Sequence, residues 1–265
     1  MKRVNIAASG TGTRYPVTMG ALCELRDSGI EIAEAIVTSG AFIAGAALAK
    51  LKTSAEMEEL ACDVLPRDHL VPNLLPFGGR RGWFSTSGLQ QAFRHHFGTR
   101  LSDLSGPRLH VTARNWSTGT DQVFKAGPLP VIGAATMCLP IFDMIEIAGD
   151  LFQDGGFGNN FPIDYRGWHD QDSELPTLGL RVRSVGAGAR RPAPRTKIDR
   201  LVGSLNDLIE SCDREHIDDA YWAQVLVLET SAPGLNLFMG PDDVRGMIRD
   251  GREGVRRARV AGKLG

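Results

Sequence analysis

Two short segments more than a hundred residues apart carry side chains that could act on one bond: Ile36-Val37-Thr38-Ser39-Gly40-Ala41 and Gln153-Asp154-Gly155-Gly156. Ser39 stands between an apolar run and an Ala/Gly-rich one, the pattern of a strand turning sharply into a helix with a hydroxyl at the turn. A serine hydroxyl is a weak nucleophile until a neighbouring base takes its proton. Asp154 is the acid with the most site-like setting, because the two glycines after it permit positive φ and close backbone approach. A helix beginning after Ser39 would aim its N-terminus at developing negative charge. Ser9-Gly10-Thr11-Gly12-Thr13-Arg14 follows the first apolar run and could add backbone donors for an oxyanion. Nucleophile, base and oxyanion loop are what acyl transfer requires.

Each piece alone has a plainer explanation. A serine beside Val, Thr, Gly and Ala is usually a strand-end or N-cap residue, and Asp-Gly-Gly is usually a turn. Gly10–Tyr15 is not a dinucleotide fingerprint, since tyrosine stands at the third glycine position, and it lacks the Gly-Lys-Ser/Thr ending of a phosphate loop. His169 or His216 would be needed for a triad, but ordinary surface or helix positions explain both. His95-His96 fits a helix face better than a metal site.

The elements that must position these residues alternate in an α/β manner. Val4–Ala8 reads as a strand, and Pro16 suits the first turn of a helix reaching Ser28-Gly29. Ala35–Val37 is a buried strand, followed by a helix over 41–51 whose Ala44, Gly45 and Ala47 would let it lie close to the sheet. Thr53-Ser54-Ala55-Glu56 has capping-box spacing. A long loop is expected over Pro66–Trp83, then a helix from Ser87 through His96. Leu109–Ala113 and Gln122–Phe124 are strand-like around a Ser117-Thr118-Gly119 turn, and Met144–Ile147 with Leu151–Gln153 form a hairpin leading into Asp154. Thr177–Val182 and Gln224–Leu228 are strands, with a helix expected over 198–216 between them. A last helix starts at Pro241 and ends in arginines, which complements its dipole.

With 265 residues the chain reads as one domain spanning 1–265, its motif-bearing core at about 4–165 and further strands and helices at about 177–262. The net charge of −1 gives no reason to expect nucleic acid as a partner. Cys23, Cys62, Cys138 and Cys212 are widely spaced without zinc-ligand patterns, so packed thiols in a reducing compartment are the simpler reading. The apolar start is too short for a signal peptide, and no run approaches a bilayer span. A cytoplasmic protein, at most peripheral to a membrane, is expected. Leu74–Phe84 mixes apolar, aromatic and arginine residues. It reads either as a lid or membrane-contact loop, or more simply as a loop pinned by Trp83 and Phe84. The arginine-rich stretch 245–263 reads as a solvated helix face.

Taken together and in order, the motifs resemble those of the patatin-like phospholipase family, whose members use a Ser–Asp dyad without a catalytic histidine. Gly10-Thr11-Gly12-Thr13-Arg14-Tyr15 is similar to that family's G-G-G-x-R-G loop, Val37-Thr38-Ser39-Gly40-Ala41 to its G-x-S-x-G elbow, and Asp154-Gly155-Gly156 to its D-G-G/A. Gly20-Ala21-Leu22, Ala135–Pro140 and Asn160-Phe161-Pro162-Ile163 resemble the family's flanking segments. The departures are Val37 and Ala41 for the elbow glycines, and Thr11 and Tyr15 for two loop glycines; they bear on turnover more than on fold.

The resemblance implies a three-layer α/β/α fold with a mostly parallel central sheet. It implies a lipid acyl hydrolase with Ser39 as nucleophile, Asp154 as base, and N–H groups around Gly10, Thr11, Gly12 and Thr13 as oxyanion hole. Arg14 would order the loop, with Thr38, Gly40, Gly155 and Gly156 supporting the motifs. The substrate would be a lipid or acyl ester, and the reaction would call for neither cofactor nor metal. The alternatives are a patatin-fold protein that binds lipid or a protein partner without turnover, and an acyltransferase.

Overall fold

The computed structural model describes residues 2–73, 82–137, 142–165, 175–185 and 223–264. Strand β1 (Arg3–Ala8) runs into a glycine-containing loop and one 3-10 turn (Gly12–Arg14), then helix α1 (Tyr15–Asp27). Pro16 lies in the first turn of α1, where a missing N–H costs nothing. Strand β2 (Glu31–Thr38) is longer than its apolar centre suggests, because its first half also pairs in the sheet, with Glu31 exposed and Glu34 bonded to His110 at 3.0 Å. Helix α2 (Ala41–Lys50) is buried on every side except at Lys50, as a helix without a polar face must be. Helix α3 (Ser54–Asp63) starts at the expected capping box: the Glu56 N–H donates to Thr53 Oγ1 at 3.2 Å and the Thr53 N–H to Glu56 Oε2 at 2.9 Å.

The segment expected to be a long loop is more ordered than that. It holds a 3-10 turn (Pro66–His69) and strand β3 (Val71–Pro72), which pairs antiparallel with β4 (Phe84–Ser85). Residues 74–81, which carry most of the lid-or-membrane reading, lie outside the described residues. Helix α4 (Ser87–Phe97), strands β5 (Arg108–Asn115) and β6 (Thr120–Phe124) then follow. Helix α5 (Leu129–Thr136) has no counterpart in the sequence reading. Almost all of it is buried, so no polar face marked its period, and Pro130 and Gly133 mask it further.

The hairpin β7 (Ile145–Ile147) and β8 (Asp150–Asp154) leads into Asp154, and β9 (Thr177–Ser184), β10 (Gln224–Thr230) and α6 (Pro241–Val260) complete the described elements. The helix expected over 198–216 lies outside them.

The sheet runs β10-β9-β1-β2-β5-β8-β7, with β6 also on β5. Pairs from β10 to β5 are all parallel, whereas β6, β8 and β7 join antiparallel. The result is a mixed, mostly parallel sheet flanked by helices, the three-layer α/β/α arrangement.

Register along β5 decides the site. β2 pairs with residues 108–112 of β5, β8 with 113–115, and β6 with 111–115. Because β6 overlaps both other partners, it must hold the opposite edge, so β2 and β8 share one edge. They meet there end to end, Thr38 opposite Thr112 and Asp154 opposite Ala113.

On one face, Ile6, Val37 and Val111 join a large core with Phe42, Phe93 and Phe97, whose rings meet edge to face. The other face buries Ala7 and Ile36 against Phe161 and Ile163. Arg252 of α6 is clamped by Glu24 (3.1 Å), Asp27 (2.8 Å) and Glu58 (2.6 Å), fastening α6 to α1 and α3. The arginine-rich stretch is thus only partly a solvated face. Cys23 is a buried free thiol and Cys62 a half-buried one, while Cys138 and Cys212 lie outside the described residues. Among the described residues no helix is long and apolar enough to cross a membrane, and no cluster of side chains could hold a metal ion.

Candidate active site

At the end of β2 the chain must turn at once to bury α2 against the sheet, and Ser39 makes that turn with φ of +53°. A left-handed serine costs roughly 1–2 kcal/mol, so the surroundings must hold it there. They do so through the Ser39 N–H, which donates to Thr136 Oγ1 at 2.8 Å, while that hydroxyl donates to the Thr112 carbonyl. The Ser39 side chain is thereby turned toward β8, and its Oγ donates to Asp154 Oδ2 at 2.7 Å across 115 residues of chain.

Asp154 is 1% exposed. Its Oδ1 accepts from the Gly156 N–H at 2.7 Å, so both carboxylate oxygens are engaged. Burial pushes its pKa up to about 7, against the two hydrogen bonds, which favour the charged form. A carboxylate poised near neutrality is suited to general-base work. Gly155 fits against Thr38 and Thr112, leaving no room for a side chain between the two strand ends. Thr38 itself is turned to Thr112 Oγ1 and the Asn159 carbonyl, bracing the junction.

The loop after β1 passes directly over Ser39. A Cβ on Gly10 would run into Asn160 Oδ1 and come within 3.1 Å of Ser39 Cβ. Two of the four loop amides expected to serve as donors are committed elsewhere. The Gly10 N–H donates to the Asn160 carbonyl at 2.7 Å and the Thr13 N–H to the Gly234 carbonyl at 3.1 Å. Those of Thr11 and Gly12 make no hydrogen bond among the described residues, and neither does that of Gly40. Gly12 and Gly40 line the same cavity as Ser39, and Gly40 abuts the Gly12 carbonyl. The loop and turn amides left unengaged among the described residues are therefore those of Thr11, Gly12 and Gly40.

Arg14 holds the loop from behind, its Nε 3.4 Å from the Thr11 carbonyl and its Nη1 donating to Ser184 Oγ at 2.9 Å.

The residues that depart from the glycine pattern are each accommodated. Thr11 sits at φ −124°, a conformation open to any residue. Tyr15 starts α1 and is buried, its hydroxyl 2.7 Å from the Val64 carbonyl. Ala41 is fully buried at the start of α2. Val37 packs where α2 presents Gly45.

Beside Ser39 lies an apolar cavity walled by Ile43, Val64, Leu89, Phe142, Leu235 and Leu237. Sequence reasoning missed three contributors: Thr136, whose hydroxyl pins the turn; the Gly40 amide; and residues 234–237, which meet the loop from the far end of the chain. The first two lie inside motif-like segments, but 234–237 carries no local signal. His95 and His96 lie in the last turn of α4, their ring centroids 4.8 Å apart in an edge-on contact. His169 and His216 lie outside the described residues.

The model of the patatin-like phospholipase family matches residues 6–166. Among solved structures, that of VipD from Legionella pneumophila resembles this one with a TM-score of 0.50 and 9% sequence identity, over 97% of this chain and 66% of that chain. At that identity the likeness concerns the fold, and this chain spans less than two thirds of VipD's solved length. No curated protein matches the sequence.

Proposed function

The chain belongs to the patatin-like phospholipase family, and from that premise we propose that it is a serine-dependent lipid acyl hydrolase cleaving carboxylic esters of phospholipids, lysophospholipids or glycerides. The observation that carries this reading is the 2.7 Å hydrogen bond from Ser39 Oγ to a buried aspartate with a pKa near 7.

In the proposed cycle, ionised Asp154 takes the Ser39 proton as Oγ bonds to the ester carbonyl carbon. The carbonyl oxygen becomes an oxyanion, which the Gly12 and Gly40 N–H groups and the α2 N-terminus are placed to stabilise. Collapse breaks the bond to the alcohol, which leaves with the proton held on Asp154. A water then attacks the acyl-serine and gives its proton to Asp154. Release of the fatty acid returns that proton to Ser39. No step calls for a metal, and the buried apolar walls suit an acyl chain.

The test is hydrolysis of p-nitrophenyl acyl esters by wild type, Ser39→Ala and Asp154→Asn over several chain lengths. Turnover by wild type alone supports the proposal, whereas background rates in all three would favour a lipid-binding protein. Adding an alcohol and looking for a new ester separates hydrolase from acyltransferase.

A further inference from the structure

Residues 231–239 carry the chain from the end of β10 to the start of α6, and they lie beyond the segment 6–166 that the family model matches. Both ends of this strap are fastened: Thr230 Oγ1 donates to Asp250 Oδ2 at 2.6 Å, and Met239 is fully buried. Between those ends the strap docks on a single residue of the loop after β1. Thr13, which is buried, donates its N–H to the Gly234 carbonyl at 3.1 Å, and its Oγ1 accepts from the Asn236 N–H at 2.7 Å. Among the described residues, 231–238 hydrogen-bond to nothing else outside 230–238.

Leu235 and Leu237, on either side of Asn236, line the cavity beside Ser39. The strap therefore meets the acyl cavity with its side chains and the loop with its backbone. Between strap and loop there is no slack, because a Cβ on Gly12 would run into the Gly234 carbonyl. A shift of the strap is passed to Gly12, whose amide the proposed reaction gives to the oxyanion. An acyl chain filling the cavity packs against both leucines and presses the strap onto Thr13. Binding energy from the non-reacting end of the substrate then goes into orienting a donor at the reacting carbonyl, so shorter chains lose kcat and not only affinity.

On the footing of the acyl-hydrolase reading, we infer that Thr13 is a positioning residue that couples the acyl chain to the oxyanion loop through the 231–239 strap. The Thr13 amide, being committed to Gly234, acts from outside the oxyanion hole.

The test measures kcat and KM separately for p-nitrophenyl acetate, butanoate, hexanoate and octanoate. In wild type kcat should rise by roughly ten-fold or more from acetate to the best ester, a fraction of what one oxyanion donor supplies. Thr13→Val keeps the shape of the side chain but leaves the Asn236 N–H without its acceptor. It should lower kcat on the best ester by about ten-fold, leave acetate near the wild-type rate and keep the trend of KM with chain length. Thr13→Ser, which retains the hydroxyl, should restore the wild-type profile. Leu235→Ala combined with Leu237→Ala leaves Thr13 intact and should move the highest kcat to longer esters, which keeps the test decisive if Thr13→Val does not fold. Four results overturn the inference while leaving the hydrolase reading in place: a wild-type kcat that ignores chain length, an equal loss on every ester in Thr13→Val, no recovery in Thr13→Ser, or an unmoved profile in the leucine variant. Wild-type rates no higher than those of Ser39→Ala on every ester overturn both.

Discussion

Val37 and Gly45 face each other where β2 meets α2, so close that a Cβ on Gly45 would lie 2.8 Å from Val37 Cγ1. Bulk at the strand end is matched by its absence on the helix, and α2 can still start immediately after Ser39. Gly45→Ala should therefore destabilise the fold by roughly 1–3 kcal/mol, the usual cost of overpacking. Val37→Ala on that background should recover part of the loss. Denaturant titration of the two single variants and the double variant measures the coupling.

The environment of Asp154 fixes a pH dependence. A base must be ionised to accept a proton, and the Asp154 pKa stands at about 7. In the proposed reaction kcat/KM should climb as pH rises through 7 and level off above it. A pH–rate profile on a non-ionising ester checks this; a limb falling near the ordinary aspartate range of about 4 would assign the base elsewhere.

The same shift has a consequence for stability, with its own sign. Asp154 holds its proton more tightly in the folded protein, at about 7, than in the unfolded chain, so wild type loses stability as pH rises from the ordinary aspartate value to the folded one. Asp154→Asn, which keeps a carbonyl oxygen but no charge, should be more stable than wild type at pH above 7 by an amount of the order of a few kcal/mol. That advantage should shrink on acidification toward about pH 4. Melting curves across this range decide it.

Thr136 supports the turn through the Ser39 N–H and the Thr112 carbonyl rather than through the Asp154 carboxylate. Thr136→Val removes the acceptor of the Ser39 N–H and leaves a buried donor unpaired, which should cost about 1–3 kcal/mol. Thr136→Ser, which retains the hydroxyl, should stay near wild type. Paired thermal melts of the two variants measure the contribution.

Much of this arrangement was legible in the chain because its signals are local. A lone serine between apolar and small-residue runs marks the β2–α2 turn, and Asp154 before paired glycines marks the end of β8. What joins them is not local. The shared edge of β5 depends on register between strands far apart in sequence, and only the coordinates give it. Hydrogen-bond commitments were likewise hidden. Gly10 and Thr13 look like donors beside Gly12 until Asn160 and Gly234 are seen to claim their amides. Helix α5 left no trace because it has almost no polar face to give it a period.

The central claim is that Asp154 activates Ser39, and covalent labelling with an alkyl fluorophosphonate followed by peptide mass mapping tests it most directly. The account predicts a single adduct on Ser39, forming faster as pH rises through about 7 in step with ionisation of Asp154, absent from Ser39→Ala and strongly slowed in Asp154→Asn. Labelling at another residue, or labelling of Ser39 in Asp154→Asn at the wild-type rate, would contradict it.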